Sequence, residues 1–331
     1  MLLENHQVSS FSFHLFSFCT CFSIQEQENI GHNQLSNNLK WKQFAITITI
    51  GDGIQLNGPQ GIYFDDEQQT IYIADYENHR IVKSKFGRNN SQVVAGGNGE
   101  GDRIDQLSRP TDVIVDQKTK SLIISDYGNR RVVRWSMKDQ HDQQIIISDI
   151  YCYRLMININ GDLFVSDCEK HEVKRWREHE KEGIIVAGGN GKGNQLNQLN
   201  GPTFIFVDRN DTVYVSNYSN HRVMKWMKNA KEGVVVAGGQ GQGYGLQLLS
   251  HPTGMTVNEM GDVYVADSEN HRVIYWPSQS KEGRLIVGGN GQGQGSNQLN
   301  SPIGLAFDRE NNLYVADCVN SRIQRFDIDR N

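Results

Sequence analysis

The sequence predicts an all-β fold, a single six-bladed β-propeller of four-stranded antiparallel blades, and three observations carry that prediction. The stretch Val263–Trp276 (VYVADSENHRVIYW) returns as near-copies that begin at Ile71, Leu122, Leu163, Val213 and Leu313. Its Arg falls at Arg80, Arg131, Arg222, Arg272 and Arg322, with Glu172 in that place in the third copy, so the steps are 51, 41, 50, 50 and 50 residues. A fixed period of this length marks a stacked or closed repeat architecture. No segment carries an apolar stripe at helical spacing.

Residues 1–41 lie outside the repeat and are expected to be a disordered or signal-like leader, with the propeller running from 42 to 331. Phe11–Ile24 has the length of a signal-peptide core, yet it is studded with Ser and His and is preceded by Glu4 rather than Lys or Arg. Cys19 and Cys21 have no second Cys/His pair beside them to complete a metal site. Phe44–Ile50 aligns with the fourth strand of other units, while the last copy stops after its third strand. The N-terminal strand is therefore expected to pair beside Arg322–Ile328, closing the ring and removing two exposed edges.

Each copy then reads as four strands. An apolar run leads into an Asp-x-x-Asn turn, an alternating run follows, and a Gly-rich connector (Val94–Gly101, Val186–Gly193, Val236–Gly243, Val287–Gly295) leads to the next Pro. A phosphate cradle at Gly188–Gly193 gives way to a simple connector, because no Ser or Thr follows Lys192 and no helix follows the loop. The turn residues Asp75, Asp126, Asp167, Asp267 and Asp317 are expected to accept turn N–H groups and to pair with Arg80, Arg131, Arg272 and Arg322, with Arg222 in the matching place beside Asn217. His79, His171, His221 and His271 recur in separate blades, too far apart to share one ion. Trp135, Trp176, Trp226 and Trp276, with Phe86 and Phe326, are expected to pack between blades.

The repeat resembles the NHL repeat, whose order of Pro-x-Gly-Ile, Tyr-Val-Ala-Asp and Asn-His-Arg-Ile is matched by Pro252–Met255, Tyr264–Asp267 and Asn270–Val273. The resemblance implies a propeller used for protein binding, RNA binding, ligand sensing or, in one branch, metal-dependent amidating-lyase chemistry. That branch places zinc-ligand His after the strand-initiating Pro; here those positions hold Gln60, Thr111, Tyr153, Thr203, Thr253 and Ile303. No metal, cofactor or catalytic residue is expected, and the chain reads as a non-enzyme. A metal-dependent lyase or hydrolase is the alternative, and an RNA-binding propeller the next.

The favoured reading is a binding or scaffold module acting through the face that holds the first-strand starts and the Asp-x-x-Asn turns. Where other copies have Gly61, Gly254 and Gly304, three consecutive copies have Asp112, Arg154 and Phe204. With Tyr76, Tyr127, Tyr153 and Tyr218 these form the candidate contact set, since aromatics and Arg dominate binding hot spots. The expected partner is a protein, with a small ligand second; relatives recognise substrates for ubiquitin ligases, but no RING-type Cys/His cluster is present. A formal net charge of -5 gives no overall basic field for nucleic acid, although Arg130, Arg131, Arg134, Lys174, Arg175 and Arg177 cluster in two copies. No apolar run reaches membrane-spanning length, and a monomer is expected.

The compartment stays open between extracellular and cytoplasmic. A three-residue loop Ile159–Asn160–Gly161 in the third copy would oppose Cys152 to Cys168 and permit a disulfide, whereas a two-residue Asn160–Gly161 turn would oppose Cys152 to Glu169. Asn89 and Asn210 head glycosylation sequons; Asn217 heads a third but stands in the turn-Asp place and reads as structural.

Overall fold

The computed structural model describes residues 39–48, 50–51, 53–85, 91–139 and 141–330. Six four-stranded antiparallel sheets form the blades, and the sixth takes its outermost strand from the N-terminal side, with Ile46 opposite Arg325 and Thr47 opposite Gln324. The first strands, beginning at Pro59, Pro110, Cys152, Pro202, Pro252 and Pro302, pack side by side around the ring, blade six against blade one. The expected architecture and its closure are thus as the sequence predicts. Among the described residues no helix is long and apolar enough to cross a membrane.

Strands with near-continuous apolar runs need cover on both faces, and the cover is the neighbouring blade. Tyr72, Ala74 and Ile81 of blade one pack with Val113, Val115, Leu122 and Ile124 of blade two. Trp226 joins Phe164 of blade three with Val207 and Val213 of blade four, so the tryptophans do pack between blades. Phe86 lies outside the described residues, as do Asn89, Cys19 and Cys21.

The boundary after residue 41 is corrected by the structure. Trp41 is buried, bridges to Ile328, donates its indole N–H to the Asn311 carbonyl at 2.8 Å, and packs against Tyr264 and Phe307. Asp329 donates its backbone N–H to the Lys40 carbonyl at 2.8 Å, so the closing segment begins by Lys40. The remainder of the expected leader, residues 1–38, lies outside the described residues.

The third-copy hairpin has the three-residue loop, with Gly161 at φ +85° and Leu155 opposite Val165. The disulfide nevertheless does not form. Every first strand carries a bulge just after its start, and in blade three it absorbs one residue, so that Cys152 faces Asp167 rather than Cys168. Both cysteines are free thiols; Cys152 is fully buried and its Sγ donates to the Arg131 carbonyl.

The turn carboxylates have a fuller role than pairing. Asp267 accepts the backbone N–H of Ser250 through Oδ1, and through Oδ2 it accepts from the Asn270 amide and the Arg272 Nε at 2.8 and 2.7 Å. Asn270 and Arg272 then donate to the Gly243, Gly245 and Leu248 carbonyls of the connector that enters the same blade. Asp75, Asp126 and Asp317 repeat the pattern with Arg80, Arg131 and Arg322. Arg222 lacks a carboxylate partner in Asn217 but still holds the Gln195 carbonyl. Blade three has lost the arrangement: Glu172 pairs with Lys174, and Asp167 accepts only the Glu169 and Lys170 N–H groups.

Two outcomes follow from these contacts. A chain starting at residue 39 should keep the wild-type melting temperature, whereas one starting at residue 49 should aggregate or melt earlier, because it bares the edge of Arg322–Phe326 and empties the Trp41 site. Calorimetry with light scattering checks this, and a soluble monomer of unchanged melting temperature from the shorter chain would exclude the closure. Asp267→Ala should cost about 3 kcal/mol or more in urea unfolding, since it leaves the buried Arg272 charge uncompensated, while Asp167→Ala should cost clearly less.

Candidate functional site

The site is built where first strands begin and turns end. Each strand-two Asp, or Asn217 in blade four, is followed by a turn whose first residue stands at the axial mouth; in blade order these are Tyr76, Tyr127, Cys168, Tyr218, Ser268 and Cys318. Four of the turns are short 3₁₀ segments, Tyr76–Asn78, Tyr127–Asn129, Tyr218–Asn220 and Ser268–Asn270, closed by a left-handed residue. Inside this ring Tyr153 rises from the first strand of blade three and its hydroxyl donates to Gln60 Oε1 of blade one at 2.8 Å.

These groups converge. Tyr127 and Tyr153 meet edge to face with ring centres 6.3 Å apart, Tyr127 shares a hydrogen bond with the Cys168 thiol, and Tyr153 senses the Tyr76, Tyr218, Cys168 and Cys318 groups electrostatically. Burial pushes the Tyr76, Tyr127, Tyr153 and Tyr218 phenols above their ordinary value, and the Cys168 and Cys318 thiols up to about 12. The inner ring is therefore neutral, aromatic and rich in hydrogen-bonding groups. Glu77, Glu169 and Glu269 stand one residue further along their turns and are exposed.

Three of the expected contact residues lie beneath this mouth rather than on it. Asp112 and Phe204 are fully buried, and Arg154 lies between them, ion-paired with Asp112 and with its guanidinium 4.6 Å from the Phe204 ring. Asp112 also accepts the Leu155 N–H at 2.9 Å; burial pushes its carboxyl up to about 6 against the pull of Arg154. The placement of Asp112 and Phe204 on the contact face is corrected accordingly: their side chains fill the axis. In blades one, five and six the same place must be glycine, because a Cβ on Gly254 would collide with the Ile303 carbonyl and one on Gly61 with Asp112. Sequence reasoning missed Gln60, Cys168, Ser268 and Cys318, although the last three share the column that holds Tyr76 and was open to the same reading.

Two of the basic residues of blades two and three are turned inward. Arg131 is buried on Asp126 and the Asp102, Arg103 and Gln106 carbonyls, and Arg175 is buried near Asp162. Of the sequons, Asn217 is buried, with its Oδ1 accepting the Asn200 N–H, and Asn210 is exposed. Among the described residues no three His, Cys, Asp or Glu side chains gather as a metal-holding group.

With this geometry in place the chain can be placed in a class: it is a six-bladed propeller whose blades are turn-pinned four-stranded repeats. The chain belongs to the NHL-repeat β-propeller family, whose NHL repeat profile matches residues 56–83, 249–274 and 299–326. The matched blades are the three with glycine at the axis, and the unmatched ones hold Asp112, Arg154 and Phe204. A search of curated proteins gives no match. Among solved structures, an auxiliary nutrient binding protein from Bacteroides thetaiotaomicron is 17% identical, covering 91% of this chain and 76% of that one at a TM-score of 0.67. A gluconolactonase from Xanthomonas campestris is 12% identical, with 91% and 97% covered and a TM-score of 0.62, and a streptogramin B lyase is 11% identical, with 86% and 98% covered and a TM-score of 0.57.

At such identities the likeness carries the fold alone. It still overturns one expectation, that of a non-enzyme, because propellers of this shape include enzymes as well as binding proteins. The inference from Gln60, Thr111 and their counterparts tested the ligands of a single lyase chemistry, and its silence on other chemistries is where it failed.

The Asp112–Arg154–Phe204 unit sets a measurable expectation. Phe204→Ala should cost about 3 kcal/mol or more by emptying a core site, and Arg154→Ala a comparable amount by leaving Asp112 buried and unpaired. The double variant should cost less than the sum of the two, as neighbours do; strict additivity in urea unfolding would separate the two residues energetically.

Proposed function

We propose that this chain is a binding propeller that recognises a protein partner through its axial face, with Tyr76, Tyr127, Tyr153 and Tyr218 as the contact residues and Arg154 as their support from below. The observation that carries the reading is the convergence of four tyrosines from four blades on one mouth. Tyrosine offers large contact area at little cost in side-chain freedom and keeps a polar tip, and such residues concentrate binding energy near the centre of an interface. A small ligand seated on the same ring is the second occupant of this reading. In an assembly that transfers ubiquitin, the propeller would supply substrate recognition and another subunit the ligase.

Bait protein immobilised and cross-linked in extract from its source tests this. Wild type should retain a partner that a Tyr76→Ala, Tyr127→Ala, Tyr218→Ala variant loses by about tenfold or more, as expected when hot-spot residues are truncated. All three are part-exposed, so the variant should fold. Equal retention by a folded variant would remove the axial face from the binding reaction.

A further inference from the structure

We propose that the four turn histidines, His79, His171, His221 and His271, form a pH-sensitive clasp that joins neighbouring blades only while each imidazole is neutral. Each sits at the end of its turn in the left-handed region, with φ between 51° and 56°. Each directs Nδ1 to the residue just before the next blade's first strand and accepts its backbone N–H. The donors are Arg109 to His79 at 3.1 Å, Gly201 to His171 at 3.2 Å, His251 to His221 at 3.2 Å, and Ser301 to His271 at 3.1 Å. Four of the six blade boundaries are held this way.

An imidazole accepts at Nδ1 only when its proton is on Nε2; protonation turns the acceptor into a second donor. The N–H groups of Arg109, Gly201, His251 and Ser301 would then face a like N–H, and four boundaries would lose the same kind of contact. The remaining boundaries do not depend on imidazole. Between blades two and three the Ile150 N–H goes to the Arg130 carbonyl at 3.0 Å, and between blades six and one the Gly58 N–H goes to Ser321 Oγ at 3.4 Å. Blade three keeps its histidine although it has lost the Arg of the turn network, so the clasp and the carboxylate network vary independently.

The groups facing each imidazole set the balance. His79 Nε2 lies 3.8 Å from the exposed Glu100 carboxylate. His221 faces the His251 ring at 4.5 Å, and His251 in turn stacks on Tyr218; burial first, and His251 second, hold His221 below its ordinary value. His171 and His271 make no ion pair among the described residues. For a group whose folded-state pKa is depressed, as at His221, the contribution is complete above the unfolded value near 6.5 and fades as pH falls through the folded one.

Asparagine provides the control, because its Oδ1 takes the place of Nδ1, accepts without titrating, and tolerates the left-handed backbone. Melting temperatures of wild type and of a His79→Asn, His171→Asn, His221→Asn, His271→Asn variant are to be measured at pH 7.5 and 5.0. Carboxylate titrations are common to both proteins, so the difference isolates the imidazoles. Wild type should lose about 4 °C or more beyond the loss of the variant; equal losses would overturn the clasp. Long-range ¹⁵N–¹H spectra of histidine-labelled wild type give an answer even if the variant fails to fold. Four imidazoles protonated only at Nε2 at pH 7.5 support the clasp, and protonation at Nδ1 overturns it. Neither readout depends on what the axial face binds.

Discussion

The rest of the structure depends on one buried turn residue per blade, a carboxylate in every blade but the fourth, where Asn217 takes its place. A blade is a small twisted sheet with little to hold its connectors, and the connectors here are glycine-rich chains of low intrinsic order. The carboxylate of Asp267 resolves this by tying the Ser250 amide, the Asn270 side chain and Arg272 to one point, from which Asn270 and Arg272 reach the connector carbonyls. Burying that charge is unfavourable by itself, and burial does push the Asp126 and Asp267 carboxyls upward. The arrangement is stabilising because both oxygens of the Asp267 carboxylate find donors, the condition under which a buried ion pair offsets its desolvation. Blade three shows the counter-case, since without the Arg the Asp167 Oδ2 has no hydrogen-bond partner.

This dependence also explains why the fold was legible. A residue set that recurs in most blades leaves a period in the sequence, and Asp, Asn and Arg at fixed spacing are that set. Strand alternation and turn chemistry then give the four strands of each blade, and the missing outer strand of the last copy points to Phe44–Ile50 as its partner, within which Ile46 and Thr47 pair with Arg325 and Gln324. What the repeat could not reveal was the reach of the closing segment. Trp41 belongs to the propeller through an indole hydrogen bond and two aromatic contacts, none of which has a counterpart in the other blades.

The site was legible by halves, and the reason is the bulge. Hairpin counting from Gly161 gave the correct pairing of Leu155 with Val165, but a residue inserted ahead of it changes which side chain points where. That single step separates Cys152 from Cys168; blades two and four carry their own bulges beside Asp112 and Phe204, whose side chains are buried, while Tyr153 remains at the mouth. A bulge re-aims side chains without leaving a signal in hydrophobic alternation. The tyrosine column needed no such counting, since Tyr76, Tyr127 and Tyr218 follow the turn residue directly.

The asymmetry of the axis ties these points together. On the side of blades five, six and one, glycine lets neighbouring first strands approach backbone to backbone, leaving no space for side chains. On the side of blades two, three and four, the same place holds a carboxylate, a guanidinium and a phenyl ring in mutual contact. The three residues fill that side of the axis as one contacting group, so a change at one is felt by the other two. Tyr153 stands directly above that unit, in edge-to-face contact with Phe204 and hydrogen-bonded across the axis to Gln60. The break in repeat symmetry therefore reaches the surface at one residue, in the middle of a ring that the repeat itself supplies.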